Sequence, residues 1–172
     1  MQQIVYYFWQ ICLLKAGPER IPGNSFVLGF TFTVYFALSL VTMLITQDGS
    51  LLFMIAALMI GVGVEGGVVF GLLLFKQVPR RFGATLAALL GTTSVILIIM
   101  LPANIIFHYA DLQSMRVIAA ILFLSTFVWR LAISGSILSK AASVSLVQGA
   151  AIMFGTEMIA LSLNRSLLSS PG

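Results

Sequence analysis

The chain has 172 residues, of which 60% are hydrophobic and 8% are charged, and its formal net charge is +4. A typical soluble domain has about 25% charged residues, so this composition excludes an ordinary water-soluble fold. The single cysteine, Cys12, excludes an intrachain disulfide and a metal site built from several cysteines.

The N-terminal segment, residues 1–24, differs from the rest of the chain. Its apolar part is too short to cross a bilayer, and no basic residue precedes it as in a signal peptide. Aromatic residues at positions 6–9 are typical of the membrane interface, and Ile4, Phe8 and Ile11 share one helical face. This pattern predicts an interfacial amphipathic helix in the headgroup region, with a frayed or partner-docked extension as the alternative.

Five apolar runs follow, each long enough to cross the hydrocarbon core of a bilayer. They cover residues 25–46, 51–75, 82–102, 117–138 and 141–163. The connecting segments are too short to hold a soluble domain, so residues 1–172 are predicted to form a single integral membrane domain. The expected fold is all-α: a polytopic transmembrane helical bundle of five spans with an N-terminal interfacial amphipathic helix, whose backbone groups are satisfied within each helix.

Basic residues are distributed unevenly between the two predicted faces of the bundle. Six lie on the side of the N-terminus and two on the opposite side. The positive-inside rule therefore places the N-terminus in the cytoplasm and the C-terminus outside. Short loops and the lack of eukaryotic targeting signals favour a bacterial inner membrane. Lys76, Arg80 and Arg81 could attract anionic lipid headgroups, whereas no basic face large enough for nucleic acid exists outside the spans.

Three charged residues interrupt the apolar runs: Glu65, Arg130 and Glu157. A charge at bilayer depth costs about 2.5–3.5 kcal/mol, so such residues pair with each other, line a wet cavity or act in function. Glu65 and Arg130 are expected roughly 3 Å and 4 Å to the cytoplasmic side of their span midpoints, which allows an ion pair between them. Glu157 is expected about 7 Å to the outer side of its midpoint, without a basic partner at its depth.

Counting residues across the short loops suggests neutral partners for these charges. Gln148 is expected opposite Arg130, and Thr92 and Thr93 are expected opposite Glu65. Two interpretations remain open. In the structural one, a pair of Glu65 and Arg130 fixes which helices touch; in the functional one, the three charged groups line a polar pathway or a binding site.

Small residues spaced by four recur on two successive spans, as Gly63, Gly67 and Gly71 on the second and Gly83, Ala87 and Gly91 on the third. Such a ridge and groove let two helices approach closely, so the two spans are expected to pack tightly as a hairpin. The second span also satisfies the string G-x-G-x-x-G. A dinucleotide site is excluded, because that fingerprint needs a strand, a turn and a helix N-terminus in water.

Sequence signals for catalysis are missing. His108 is the only histidine, and no zinc-protease, serine-hydrolase or P-loop motif occurs. We therefore expect no enzyme activity, no cofactor and no metal site.

The pattern RRFGATLAALLGTTSVILIIMLP on the third span resembles that of the bacterial Yip1-like membrane proteins, as do the five-span topology and the proline-bearing stretch LLKAGPERIPGNSF. The matching residues are Phe82, Gly83, Ala87, Ala88, Gly91 and Pro102. The resemblance implies the five-span fold. The acidic N-terminal signature of the eukaryotic members is missing here, so it does not imply a trafficking role.

Two classes of function follow. The first is a membrane scaffold or assembly protein, acting through the lipid bilayer and through a membrane-protein partner or a second copy of this chain. The alternative is a transporter or channel component that uses Glu65, Arg130 and Glu157. A full secondary carrier is not expected, because five spans leave no evident inverted repeat of three.

Overall fold

The computed structural model describes residues 2–21, 25–46, 50–109 and 113–168, and this part of the chain is helical without a strand. Five long helices follow a short N-terminal one, and 3-10 turns lie at Pro18–Arg20 and Pro79–Arg81. The helices are α1 (Gln2–Cys12), α2 (Ser25–Thr46), α3 (Leu51–Phe75), α4 (Phe82–Tyr109), α5 (Gln113–Ala142) and α6 (Leu146–Leu168). The last five are long and apolar enough to cross a membrane.

The sequence predicts some helix ends correctly and others not. α2 and α3 cover the predicted residues 25–46 and 51–75. α4 continues past Pro102 to Tyr109, since a proline inside a long apolar helix is tolerated when its surroundings satisfy the freed carbonyl. α5 extends beyond the predicted residues 117–138 at both ends, and α6 begins at Leu146 instead of residue 141.

The junction between α5 and α6 explains the second difference. α5 continues through Lys140 to Ala142, and the chain then reverses at Ser143, which has a left-handed φ of 53°. Ser145 and Gln148 form a capping box at the start of α6. The backbone N–H of Gln148 donates to Ser145 Oγ at 3.1 Å, and the N–H of Ser145 donates to Gln148 Oε1 at 3.0 Å.

α4 is the central helix of the bundle. In its most apolar 18-residue stretch 56% of the residues are buried, compared with 11–22% in the other four long helices. α4 packs against α2, α5 and α1, while α3 packs mainly against α6 and α5 packs against α6. α4 is therefore surrounded by α1, α2 and α5, and α3 and α6 complete one side of the bundle.

α1 is docked onto the bundle. Phe8, Ile11 and Cys12 are buried, so the face expected to enter the lipid packs against protein instead. The indole Nε1–H of Trp129 donates to the carbonyl of Cys12 at 3.0 Å, which ties the end of α1 to α5. The side chain of Ile4, which the sequence places on the same face, lies outside the described side chains.

The prediction that the small residues of α3 and α4 pack tightly against each other is wrong. A Cβ added at Gly63, Gly67 or Gly71 would have no atom of the described chain within 4 Å, so this ridge is open. Ala87 is buried, and Gly91 packs against the ring of Phe8 from α1. The spacing of small residues identifies a smooth helix face but not the helix that packs on it. In the structure, α1 and α2 pack against α4 in the place where the sequence predicts α3.

Backbone contact between helices occurs at a different pair of glycines. A Cβ at Gly149 would lie 2.6 Å from the carbonyl oxygen of Gly135, and one at Gly135 would lie 2.7 Å from that of Leu146. α5 and α6 therefore cross with their backbones touching, as small residues permit.

Candidate functional site in the middle of the bundle

An ion pair joins the two helices that cross at these glycines. Arg130 Nη2 on α5 lies 2.6 Å from Glu157 Oε1 on α6, a short charge-assisted contact. The side chains of Arg130 and Glu157 are 31% and 18% exposed. The sequence allows an ion pair between Arg130 and Glu65 and places no basic partner at the depth of Glu157. The structure instead pairs Arg130 with Glu157, so the expectation for Glu157 is wrong.

The helix ends explain this correction. Because α6 begins at Leu146, its middle falls at Glu157, so this carboxylate does not lie toward one end of the span. Arg130 precedes the end of α5 at Ala142 by 12 residues, and Glu157 follows the start of α6 by 11. At about 1.5 Å per residue, the two groups share one depth, roughly 17 Å from that end of the bundle.

Glu65 lies beside this ion pair, although Glu157 is the carboxylate that contacts Arg130. A small cavity of about 90 Å³ is lined by residues of four helices: Tyr35 of α2, Gly61 and Glu65 of α3, Arg130 of α5, and Met153, Thr156, Glu157 and Ala160 of α6. We call this group the central cluster. Its volume corresponds to roughly three water molecules at the liquid value of about 30 Å³ each.

The local surroundings of three members of the central cluster show how its space is formed. Tyr35 lies one turn before Ser39 on α2 and lines the cavity together with Glu65. The hydroxyl of Thr156 donates to the carbonyl of Ile152 at 2.8 Å, which uses its proton within α6. Gly61 lies one turn before Glu65 on α3, and a Cβ there would meet no described atom within 4 Å. The missing side chain leaves room beside the carboxyl group.

The guanidinium group of Arg130 is only partly satisfied. Its Nε atom is buried without a hydrogen-bond partner among the described residues, while Nη2 contacts Glu157. A buried donor without a partner is costly, by about 1–3 kcal/mol. The central cluster can therefore accept a further acceptor group or a water molecule at this atom.

The polar partners that the sequence predicts lie elsewhere. Gln148 caps the start of α6 and does not reach Arg130. The hydroxyl of Thr92 donates to the carbonyls of Ala88 and Leu89 at 2.8 Å and 3.1 Å. Neither Thr92 nor Thr93 is among the residues that line the cavity at Glu65. Counting across loops fails because the chain does not pack α3 closely against α4.

Sequence reasoning missed Tyr35. The signal was present, because Tyr35 follows the start of α2 by 10 residues and Glu65 precedes the end of α3 by 10. Applied to every polar residue of the spans, the same depth arithmetic places the phenol at the level of the carboxylate.

The described residues contain no group of three or more His, Cys, Asp or Glu side chains placed to hold a metal ion. The central cluster instead combines two carboxyl groups, one guanidinium and one phenol, all of which exchange or hold protons.

Comparison with known proteins identifies no relative. No family model matches the chain, and neither a curated protein nor a solved structure matches it. The fold and the site define the class as an all-helical protein with five helices long and apolar enough to span a membrane, and with a charged cluster between four of them.

Proposed function

We propose that this chain is a multi-pass protein of a bacterial inner membrane, with its N-terminus in the cytoplasm and its C-terminus outside. Helix length and composition support insertion, and six basic residues on one side against two on the other support the orientation. Tags placed in the segment that contains Pro79–Arg81 and at the C-terminus test it. They should report opposite sides of the membrane, and a common side would refute the orientation.

We propose further that the protein acts as a component of a transporter or channel and that the central cluster is its proton-binding site. The observation that carries this proposal is the charge balance. Two carboxyl groups, Glu65 and Glu157, line one small cavity with a single guanidinium. Arginine keeps its charge in proteins, so the fully ionised cluster would carry one net negative charge in an apolar surrounding.

Such a charge is costly at this depth, and one additional positive charge removes it. A proton is the smallest carrier that fits a cavity of about 90 Å³. Because Arg130 is already paired with Glu157, Glu65 is the carboxyl group left to bind the proton. Tyr35, which lines the same cavity as both carboxyl groups, supplies a neutral group through which a proton can pass.

Infrared spectroscopy of the reconstituted protein tests the binding step. We expect a carbonyl band of a protonated carboxyl group in the wild type and its loss in Glu65→Gln. Glu19→Gln is the matched control, because Glu19 is exposed and lies outside the central cluster. A band that persists in Glu65→Gln but disappears in Glu157→Gln would assign the proton to the other carboxyl group and contradict this proposal.

Proton flux tests the transport step. Proteoliposomes with a pH-sensitive dye inside should acidify when a potassium diffusion potential drives protons inward, and Glu65→Gln should abolish this signal while Glu19→Gln retains it. Equal signals in wild type, Glu65→Gln and empty vesicles would refute the transport proposal, even where the infrared band is present.

A purely structural role of the ion pair predicts a different result. Removing one partner of a buried pair costs up to about 3–5 kcal/mol, and replacing both relieves the penalty. Arg130→Gln and Glu157→Gln would then each lower the folded yield, and the double variant would restore it without any effect on proton signals. The infrared band and the proton flux therefore distinguish the two interpretations, because a purely structural ion pair predicts no change in either measurement.

The second candidate function is a scaffold or assembly protein of the Yip1-like kind. The open glycine ridge of α3 favours it, because Gly63, Gly67 and Gly71 offer a smooth face on which a second helix can pack. Cysteines introduced at Gly67 and, as control, at the buried position Leu138 test this idea. We expect crosslinked dimers from the α3 position in native membranes, and crosslinking no stronger than that of the control would refute it.

A further inference from the structure

A second polar cavity lies at the end of the bundle, apart from the central cluster. It has a volume of about 250 Å³ and opens where α4 begins and α5 ends. Three basic side chains line it, from Arg80, Arg81 and Lys140, together with one carboxylate, Glu19. We call it the basic cavity. Among the described residues, its lining carries three positive charges and one negative charge, a net charge of +2.

The arrangement of the basic cavity depends on contacts with neutral carbonyl groups. Arg81 Nη1 donates to the carbonyls of Lys140 and Ala141 at 3.4 Å and 3.1 Å, which caps the C-terminal end of α5. Lys140 Nζ donates to the carbonyl of Ala16 at 2.9 Å. These bonds fix the positions of both cations, and the partial negative charge at the C-terminal end of α5 offsets only part of the charge of Arg81.

The same bonds bring together parts of the chain that are distant in sequence. Lys140 connects α5 to the segment after α1, and its stem lies against Gly17, where a Cβ would come within 2.6 Å of Lys140 Cδ. The sequence groups Lys76 with Arg80 and Arg81 as a basic loop. In the structure, Lys140 joins the two arginines around the cavity and Lys76 is not part of its lining.

From this geometry we infer that the basic cavity binds a phosphate-bearing anion. Guanidinium groups match the oxygens of a phosphate in pairs, and an ammonium group adds a point charge. The first turn of α4, with Ala84 and Thr85 in the lining, contributes the positive end of a helix dipole. The volume corresponds to roughly eight water molecules, so a phosphate group fits together with part of its hydration.

Two sources can supply this chemistry: the headgroup of an anionic lipid or a soluble phosphate compound. The purified full chain in neutral detergent distinguishes them through its thermal unfolding midpoint, because a ligand that binds the folded state raises it. The probes are dioctanoyl phosphatidylglycerol, dioctanoyl phosphatidylcholine, and inorganic phosphate against chloride at equal ionic strength. We expect a saturable increase with phosphatidylglycerol and none with phosphatidylcholine, a zwitterion whose phosphate is balanced by its own quaternary ammonium group.

Arg80→Gln is the decisive variant, since Arg80 is exposed and its replacement leaves the bonds of Arg81 and Lys140 in place. Loss of one charge-assisted contact should weaken binding about tenfold. Lys76→Gln is the matched control, because it removes the same charge nearby but outside the cavity.

A response to inorganic phosphate that Arg80→Gln abolishes would support the same site with a soluble ligand. Equal weakening by Arg80→Gln and Lys76→Gln would show general surface attraction and overturn the inference, as would equal responses to both lipids or no response to any probe. None of these outcomes depends on the central cluster, so the two proposals stand or fail separately.

Discussion

Gly149→Ala tests the packing that holds α5 against α6. A Cβ at this position would lie 2.6 Å from the carbonyl oxygen of Gly135 and 3.0 Å from its Cα. An unstrained carbon–oxygen contact is about 3.3–3.6 Å, so the two backbones must separate by roughly 0.7–1 Å. Overpacking of this kind costs about 1–3 kcal/mol, because backbone atoms cannot move aside as a flexible side chain can.

Gly155→Ala is the matched control, because it makes the same chemical change on the same helix. A Cβ at Gly155 would have no described atom within 4 Å. Both variants gain the helix preference of alanine over glycine, about 0.5–1 kcal/mol, so this contribution cancels between them. The difference in stability between the two variants then isolates the steric cost, and Gly149→Ala should be less stable by about 1–3 kcal/mol.

The free energy of unfolding can be measured in mixed micelles of dodecylmaltoside and increasing sodium dodecyl sulfate, with tryptophan fluorescence as the signal. Trp129 on α5 reports on the helix that Gly149 contacts through Gly135. Equal stability of Gly149→Ala and Gly155→Ala would refute the close crossing of α5 and α6.

Four further predictions concern the N-terminal segment and the start of α6. Trp129→Phe removes the hydrogen bond to the carbonyl of Cys12 and should weaken the docking of α1 by about 1 kcal/mol. The Cys12 thiol should then react faster with a maleimide, and an unchanged labelling rate would contradict the docking. Burial raises the pKa of the Cys12 thiol from 9.0 to about 11, so labelling in the folded state should accelerate with pH up to that value. The unfolded chain loses this proton first, so the contribution of Cys12 to stability, complete below pH 9.0, should be lost as pH rises to about 11 in unfolding experiments. Gln148→Ala breaks half of the capping box and should cost about 0.5–1 kcal/mol in the micelle assay, whereas no loss would contradict the capping role.

The long apolar helices could be predicted because their signal is local. α2 and α3 agree with the sequence at both ends, where turn-forming residues interrupt the apolar runs. α3, for example, begins after Ser50, whose hydroxyl accepts from the N–H of Phe53 at 3.3 Å. It ends at Phe75, and two residues later Gln77 has a left-handed φ of 60°, which allows the N–H of Val78 to donate to the carbonyl of Leu73.

The boundary between α5 and α6 could not be predicted from hydropathy. Lys140 looks like a loop residue when the sequence is read alone, yet it belongs to the last turn of α5 because its ammonium group donates to Ala16. The reversal takes place at Ser143, without the glycine that commonly marks such an end. The signature S-x-x-Q at Ser145 was the available local clue.

This shift of five residues decided the assignment of the ion pair. With α6 starting at residue 141, Glu157 appears too far from Arg130, and Glu65 is the only partner at the right depth. With α6 starting at Leu146, Glu157 reaches Arg130 at 2.6 Å. A site built across several helices amplifies errors in helix ends, because each residue displaces a side chain by about 1.5 Å along its helix and turns it by a hundred degrees.

Glycine spacing identifies smooth helix faces, but which of them are covered depends on neighbours far along the chain. In a bilayer, burying apolar side chains between helices gives no hydrophobic stabilisation, because the lipid tails are equally apolar. Helices therefore associate through close backbone contact and interhelical hydrogen bonds. The structure uses both on α5: Gly135 touches Gly149, and Trp129 reaches the carbonyl of Cys12. The same α5 carries Arg130 into the central cluster and Lys140 into the basic cavity. A displacement of α5 along its axis would therefore change both sites at once, so the geometry of both sites depends on its crossing with α6.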